Sequence, residues 1–146
     1  MYIDAVYALS LAIKSHADTE LGDGTSFIDR VSSRFSDSYT PGDVDLPAPY
    51  AIYSIDKGLP IRTMGDGSGD GDAIPFTMSV WSRSPSKQEV LEIGALVNGL
   101  FDRSQPDMSD GSYTCNLVYA TTRPEIRRVN PFWRWQATFV AQCYPT

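Results

Sequence analysis

The chain has 146 residues, of which 42% are hydrophobic and 12% aromatic, with a net charge of -6 and an isoelectric point of about 4.6. That length fits one domain of about 100–200 residues, and that composition is apolar enough for a packed core. The acidic balance argues against a protein that holds nucleic acid by its phosphates, because such binding needs clustered Lys and Arg. We therefore expect one globular domain over residues 1–146.

The N-terminal segment predicts a helix over residues 3–15, because its apolar residues recur at helical spacing without an intervening Pro or Gly. This segment is shorter than the roughly 20 apolar residues of a membrane span, and it lacks the basic start and cleavage site of a signal peptide. Cys115 and Cys143 are too few for a disulfide framework, although they lie on predicted strands that could be neighbours and could bond. We expect a soluble cytoplasmic product with reduced thiols and no membrane association.

The middle of the chain predicts strands and one long loop. Residues 27–35 predict a first strand, and residues 36–49, with three prolines, predict a loop. Residues 50–56 and 74–82 alternate apolar and polar side chains, which is typical of half-buried strands. These two strands are expected to form a hairpin whose connection, an acidic hairpin loop at about 58–73, is unusually long.

The second half of the chain predicts a helix followed by another hairpin. Ser84 fits an N-cap with Pro85 at the first helical position, and Gly94 beside the apolar stripe suggests close approach to a sheet. Strands are predicted over residues 113–122 and 132–143. The whole order predicts an α+β fold, in which an antiparallel sheet of about four to five strands carries two α-helices packed on one face.

The acidic hairpin loop contains MGDGSGDGDA, in which Asp66, Asp70 and Asp72 stand among small residues. A calcium-binding EF-hand loop places a glycine at its sixth position and a bidentate glutamate at its twelfth. Counting from Asp66, Gly71 meets the first requirement, but Thr77 stands at the twelfth position and the flanking segments are predicted strands. A looser cation site stays an alternative to the simpler interpretation, an acidic tip that favours solubility.

Catalytic motifs are absent from the sequence. It contains no P-loop, dinucleotide-binding fingerprint, zinc-ligand spacing or nucleophile elbow. The single histidine, His16, follows the first predicted helix without a recognisable nucleophile beside it. We therefore expect no enzyme activity, no catalytic residues, no cofactor and no metal.

Four arginines cluster around the last predicted hairpin: Arg123, Arg127, Arg128 and Arg134, with Glu125 as the acid among them. They are either a solvated turn or an interface, since arginine forks pair bidentately with carboxylates. Other loops of the chain are rich in carboxylates, so copies could associate with one another. On the second interpretation these four arginines form a subunit or partner interface.

The order and spacing of five segments resemble the tail terminators of tailed phages, also called tail completion or head–tail joining proteins. The segments are MYIDAVYALSLAI, RVSSRF, LPAPYAIYSI, FTMSVWSRSPSKQEV and FWRWQATFVAQC. The likeness covers most of the chain and rests on no single specific motif. The chain departs from the common pattern by the extra Ala-Pro inside LPAPY and by its very acidic hairpin loop.

The resemblance implies a non-enzymatic structural protein of the virion, assembled in the host cytoplasm, that forms a ring, usually of six copies. Such a ring caps the tail tube and joins it to the head-side neck, so the implied partners are the tail tube protein and the head–tail connector or stopper protein. DNA passes through its lumen without specific binding. On a lumen-facing loop, Asp66, Asp70 and Asp72 would repel phosphates over about 8 Å, the Debye length at physiological salt.

The sequence leaves three alternatives open. The nearest is a head-closure or stopper protein of the same neck. The second is a small α+β module that binds calcium or another ligand through the acidic hairpin loop. The third is an enzyme whose site is assembled from carboxylates of several copies.

Overall fold

The computed structural model describes residues 2–18, 26–55, 59–61, 71–108 and 113–145. Within these residues it contains three helices and seven strands. In chain order they are α1 (Tyr2–Asp18), α2 (Phe27–Arg30), β1 (Phe35–Ser36), β2 (Tyr50–Ile55), β3 (Leu59–Ile61), β4 (Gly71–Ser82), α3 (Gln88–Phe101), β5 (Tyr113–Ala120), β6 (Glu125–Val129) and β7 (Phe132–Pro145). The predicted α+β class is confirmed.

The strands form a single sheet in the order β1-β2-β4-β7-β5, with β3 also beside β4 and β6 also beside β7. All neighbours are antiparallel except the short β1, which runs parallel to β2. Because β2 and β3 pair with successive parts of β4, and β5 and β6 with successive parts of β7, the sheet is five strands wide. The two predicted hairpins are thus confirmed. The sheet has seven strands, more than the four to five predicted, because β3 and β6 form within segments that were expected to be a loop and a turn.

The main core lies between the helices and one face of the sheet, which we call the helix face. Alternation in β4 and β7 predicts this core, because side chains two residues apart point to the same face of a strand. Every second residue is buried there from Ile74 to Val80 in β4 and from Trp135 to Cys143 in β7: Ile74, Phe76, Met78, Val80, Trp135, Ala137, Phe139, Ala141 and Cys143.

Helix α3 packs unusually closely on the sheet at Gly94. A Cβ atom at this position would overlap the indole ring of Trp135 on β7. The predicted close approach at Gly94 is therefore confirmed, and its cause is the large side chain that the sheet places beneath it.

The opposite face, which we call the loop face, buries a second and smaller cluster. It consists of Tyr50, Ile52, Trp81 and Phe132, all at most 7% exposed. Residues 37–49 cross this face, and Tyr39, Leu46 and Ala48 pack on the cluster. The predicted loop therefore covers the apolar cluster on this face of the sheet. The alternation of apolar and polar residues within single strands does not predict such a covering loop.

Three local predictions are wrong. Residues 27–35 form α2 and a turn instead of a strand, because Phe27, Ile28 and Val31 bury one side of a helical turn. The backbone at Ser32 and Ser33 then takes φ values of 51° and 62°, in the left-handed region. Helix α3 begins at Gln88 rather than at Ser84-Pro85, and the predicted turn between the last two strands contains β6.

Candidate assembly surfaces

Strand β6 places most of the arginine cluster on an exposed edge of the sheet. Arg123 lies just before β6, while Arg127 and Arg128 lie on it, and all three side chains are exposed. Arg127 is directly opposite Arg134 of β7. The structure therefore gathers the four arginines within two neighbouring strands and the segment before them.

Arg134 differs from the other three because it is held inside the fold. Its guanidinium pairs with Glu125 at 2.8 Å and lies 6.0 Å from the ring centre of Trp81. Its side chain is 18% exposed, and within the described part of the chain its Nε atom is buried and makes no hydrogen bond. Arg134 thus packs on the loop face, whereas the side chains of the other three arginines are exposed.

An apolar groove runs between α3 and β6 on the helix face, with a volume of about 410 Å³. Leu91 of α3 and Ile126 of β6 are each 38% exposed along it. We call it the α3–β6 groove, and it is lined by Leu91, Gly94, Ala95, Asn98, Arg123, Pro124, Ile126 and Trp135. Sequence reasoning missed this groove because β6 was expected to be a turn.

A second surface lies on the loop face, where residues 40–45 form a turn that we call the acidic turn. At its tip Val44 is 55% exposed, between Asp43 and Asp45. The turn is held by backbone hydrogen bonds from Asp43 N–H to the Thr40 carbonyl (3.2 Å) and from Asp45 N–H to Asp43 Oδ1 (2.9 Å).

The acidic turn is also fastened to the sheet beneath it. The Tyr50 hydroxyl donates to the Asp43 carbonyl at 3.5 Å, and burial raises the pKa of Tyr50 above its usual value. Arg83, just after β4, donates to the carbonyl of Val44 and stacks 5.1 Å from the Phe132 ring centre. These contacts fix the backbone while the Val44 side chain remains in solvent.

The acidic hairpin loop is described only at its base. β3 and the start of β4 extend the hairpin into the predicted 58–73 range, and Asp72 lies on β4 opposite Cys143. Asp66 and Asp70 lie outside the described residues. Among the residues that the structure does describe, no three His, Cys, Asp or Glu side chains are grouped so that they could hold a metal ion.

His16 is engaged in packing near the end of α1. A ring nitrogen lies 2.8 Å from the Leu100 carbonyl, and the ring is tilted against Phe101 with 5.3 Å between ring centres. These contacts join α1 to α3.

The two cysteines are direct neighbours on β5 and β7 and are unbonded. Both are buried in the main core. A hydrogen bond to Cys115, together with burial, raises the pKa of the Cys143 thiol above its usual value. The predicted adjacency of the strands is confirmed, and the predicted free thiols agree with this structure.

The chain is similar in fold to a protein of known structure. A chain of the "Virion of native gene transfer agent (GTA) particle" superposes with a TM-score of 0.71, covering 94% of this chain and 98% of that one. The two chains are 18% identical, so the likeness demonstrates a shared fold. No family model and no curated protein matches the sequence. Of the helices described, none is both long and apolar enough to cross a membrane.

Proposed function

We propose that the protein is a non-enzymatic structural component of a phage-like virion. The observation that carries this proposal is the agreement of fold with a gene transfer agent virion chain over almost the full length of both chains. The order of the five segments, which resembles phage tail terminators, points to the same class independently.

Within that class, we propose a tail terminator: a ring, of six copies by the resemblance, that caps the tail tube and joins it to the head-side neck. A tube lengthens only while each new ring repeats the face of the last one. A ring with one face that matches the tube and another that does not match stops growth. Contacts around such a ring are heterologous and close by rotation.

The central strands are suited to hold two ring faces in fixed register. β4 and β7 pair continuously from Asp72↔Cys143 to Ser82↔Trp133. The helices bury this pair from Ile74 to Val80 and from Trp135 to Cys143, and residues 37–49 cover Trp81 and Phe132 at one end of its loop face. A sheet packed on both faces transmits position with little distortion.

We further propose that the acidic hairpin loop lines the lumen. Asp66, Asp70 and Asp72 would then keep passing DNA from adhering, because like charges repel over about 8 Å at physiological salt. Replacement of the three aspartates by asparagine should leave the fold intact, as judged by circular dichroism. Rings of the variant should retain DNA more strongly at low salt, and unchanged retention would contradict the lumen assignment.

The function is tested by adding the protein to polymerising tail tube subunits of the same virion. Tubes should stop lengthening, and the mean length should fall as the ratio of protein to tube subunits rises. Unhindered tubes, together with binding to purified capsid connectors, would favour the head-closure or stopper alternative. Calorimetry with calcium tests the alternative of a calcium-binding module. That alternative requires a measurable heat of binding and a melting temperature that rises when calcium is added.

A further inference from the structure

The two candidate surfaces have complementary chemistry. The α3–β6 groove is apolar, with exposed Leu91 and Ile126, and it has Arg123 in its wall. Arg128 lies two residues beyond Ile126 on the same face of β6, with its guanidinium 5.4 Å from the Trp133 ring centre. The acidic turn presents the inverse arrangement: one exposed aliphatic side chain between two carboxylates.

Neither set of charges is neutralised within the chain. Among the described residues, no ion pair involves Asp43 or Asp45, and none involves Arg123 or Arg128. Glu125, the nearest acid in sequence, faces the loop side and pairs with Arg134. Asp43 Oδ1 accepts from Asp45 N–H, and Arg128 donates to Asn130 Oδ1 at 3.3 Å, but these neutral partners leave the charges in place. Opposite charges without an ion-pair partner on two surfaces favour an encounter between those surfaces.

The two surfaces cannot meet within one copy. The groove is on the helix face, beside α3, whereas the acidic turn is fastened to the loop face through Tyr50 and Arg83. The sheet and its two cores separate them. A second copy of the chain can supply the missing partner at both surfaces, and the resulting head-to-tail contact is of the kind that closes rings.

We propose that the acidic turn of one copy docks into the α3–β6 groove of the next copy. Val44 enters the groove between Leu91 and Ile126, and the carboxylates of Asp43 and Asp45 pair with Arg123 and Arg128. The inference rests on the proposed ring and names the contact that closes it. Because the turn is already held in place, little conformational freedom is lost on docking.

Cross-linking tests the geometry directly. A Val44→Cys variant mixed with an Ile126→Cys variant should give covalent dimers with a short bismaleimide, since the native thiols are buried. Val44→Cys alone should give none, because a head-to-tail contact does not bring two Val44 positions together. The matched control is Leu11→Cys mixed with Ile126→Cys, since Leu11 is 53% exposed on α1. Absence of Val44–Ile126 dimers, both in solution and on tubes, would overturn the proposal, as would equal yield from the Leu11 control.

Charge exchange tests the energetics. Asp45→Lys and Arg123→Glu should each weaken association by at least about tenfold, because like charges then face each other. A 1:1 mixture of the two variants should recover association, because each contact then pairs opposite charges. The matched control is Asp37→Lys, which makes the same charge change at another exposed position of the covering loop. Circular dichroism confirms that each variant is folded.

The outcomes separate this contact from the function. If both single variants still cap tubes as the parent does, the ring closes through other surfaces and the inference fails while the proposed function stands. If Val44 and Ile126 cross-link between copies but tubes grow freely, the contact stands and the terminator function fails. A mixture that does not recover association contradicts the pairing of these charges.

Discussion

The two faces of the sheet bury apolar side chains for different purposes. The helix face holds a continuous core from α1 to β7, whereas the loop face holds four large side chains under a short irregular cover. The first arrangement supplies most of the buried apolar area and hence most of the stability. The second fixes a loop whose tip is exposed. The helix face thus supplies most of the stability, whereas the loop face holds the acidic turn in a fixed position.

The largest effect is expected at the centre of the helix face. Trp135→Ala should lower the free energy of unfolding by about 3–5 kcal/mol, because it removes a buried indole and leaves a cavity beneath α3. Urea denaturation measures the change. Trp133→Ala is the control, since this indole is only half-buried on the same strand and should cost less. Equal losses at the two positions would contradict the assignment of the core.

The two faces can be compared directly by one substitution made on each. Ile74→Ala on the helix face should cost about 3–4 kcal/mol and Ile52→Ala on the loop face about 2–3 kcal/mol, both within the range for buried aliphatic truncation. The loss is smaller on the loop face because the irregular segment that covers it can move to fill part of the cavity. Hydrogen exchange should show lost protection of residues 40–45 only for Ile52→Ala. Loss of protection throughout the helices in that variant would show that the faces are not independent.

Substitution of two glycines in α3 tests how closely this helix packs on the sheet. Gly94→Ala should destabilise the protein by about 1–3 kcal/mol, because overpacking against Trp135 outweighs a gain in helix propensity of about 1 kcal/mol. Gly99→Ala in the same helix has nothing within 4 Å of the added methyl group and should stabilise by up to about 1 kcal/mol. Thermal denaturation of both variants decides the matter, and stabilisation by both would mean that α3 lies farther from the sheet.

The smallest effect concerns the two thiols. Burial and the hydrogen bond to Cys115 raise the pKa of Cys143, whereas the same hydrogen bond lowers the pKa of Cys115. Both side chains are buried, so iodoacetamide cannot reach either sulfur and the folded protein should react negligibly near pH 8. Both cysteines should react at once in denaturant. Mass spectrometry counts the adducts. Rapid labelling of the folded protein would contradict the account, because it would show that the thiols between β5 and β7 are accessible to solvent.

The difference between the faces also explains what the sequence can predict. Period-two alternation identified β4, β7 and the helix-face core, because these positions are buried by regular elements. The loop-face cluster depends on where residues 37–49 lie. The α3–β6 groove depends on β6, and the first four residues of β6 are all exposed, so this strand shows no alternation of buried and exposed side chains. Burial by a segment that is distant in sequence produces no periodic pattern of apolar residues. Arg134 shows the same limit, since its pairing with Glu125 and packing on Trp81 arise only in the folded sheet.

The central claim, that the protein caps tail tubes as a ring, is tested most directly by electron microscopy of tubes mixed with the protein. The account predicts extra ring-shaped density at one end only of each tube. Bare ends on all tubes, with the protein found instead along the tubes, on isolated connectors or free as single copies, would contradict it.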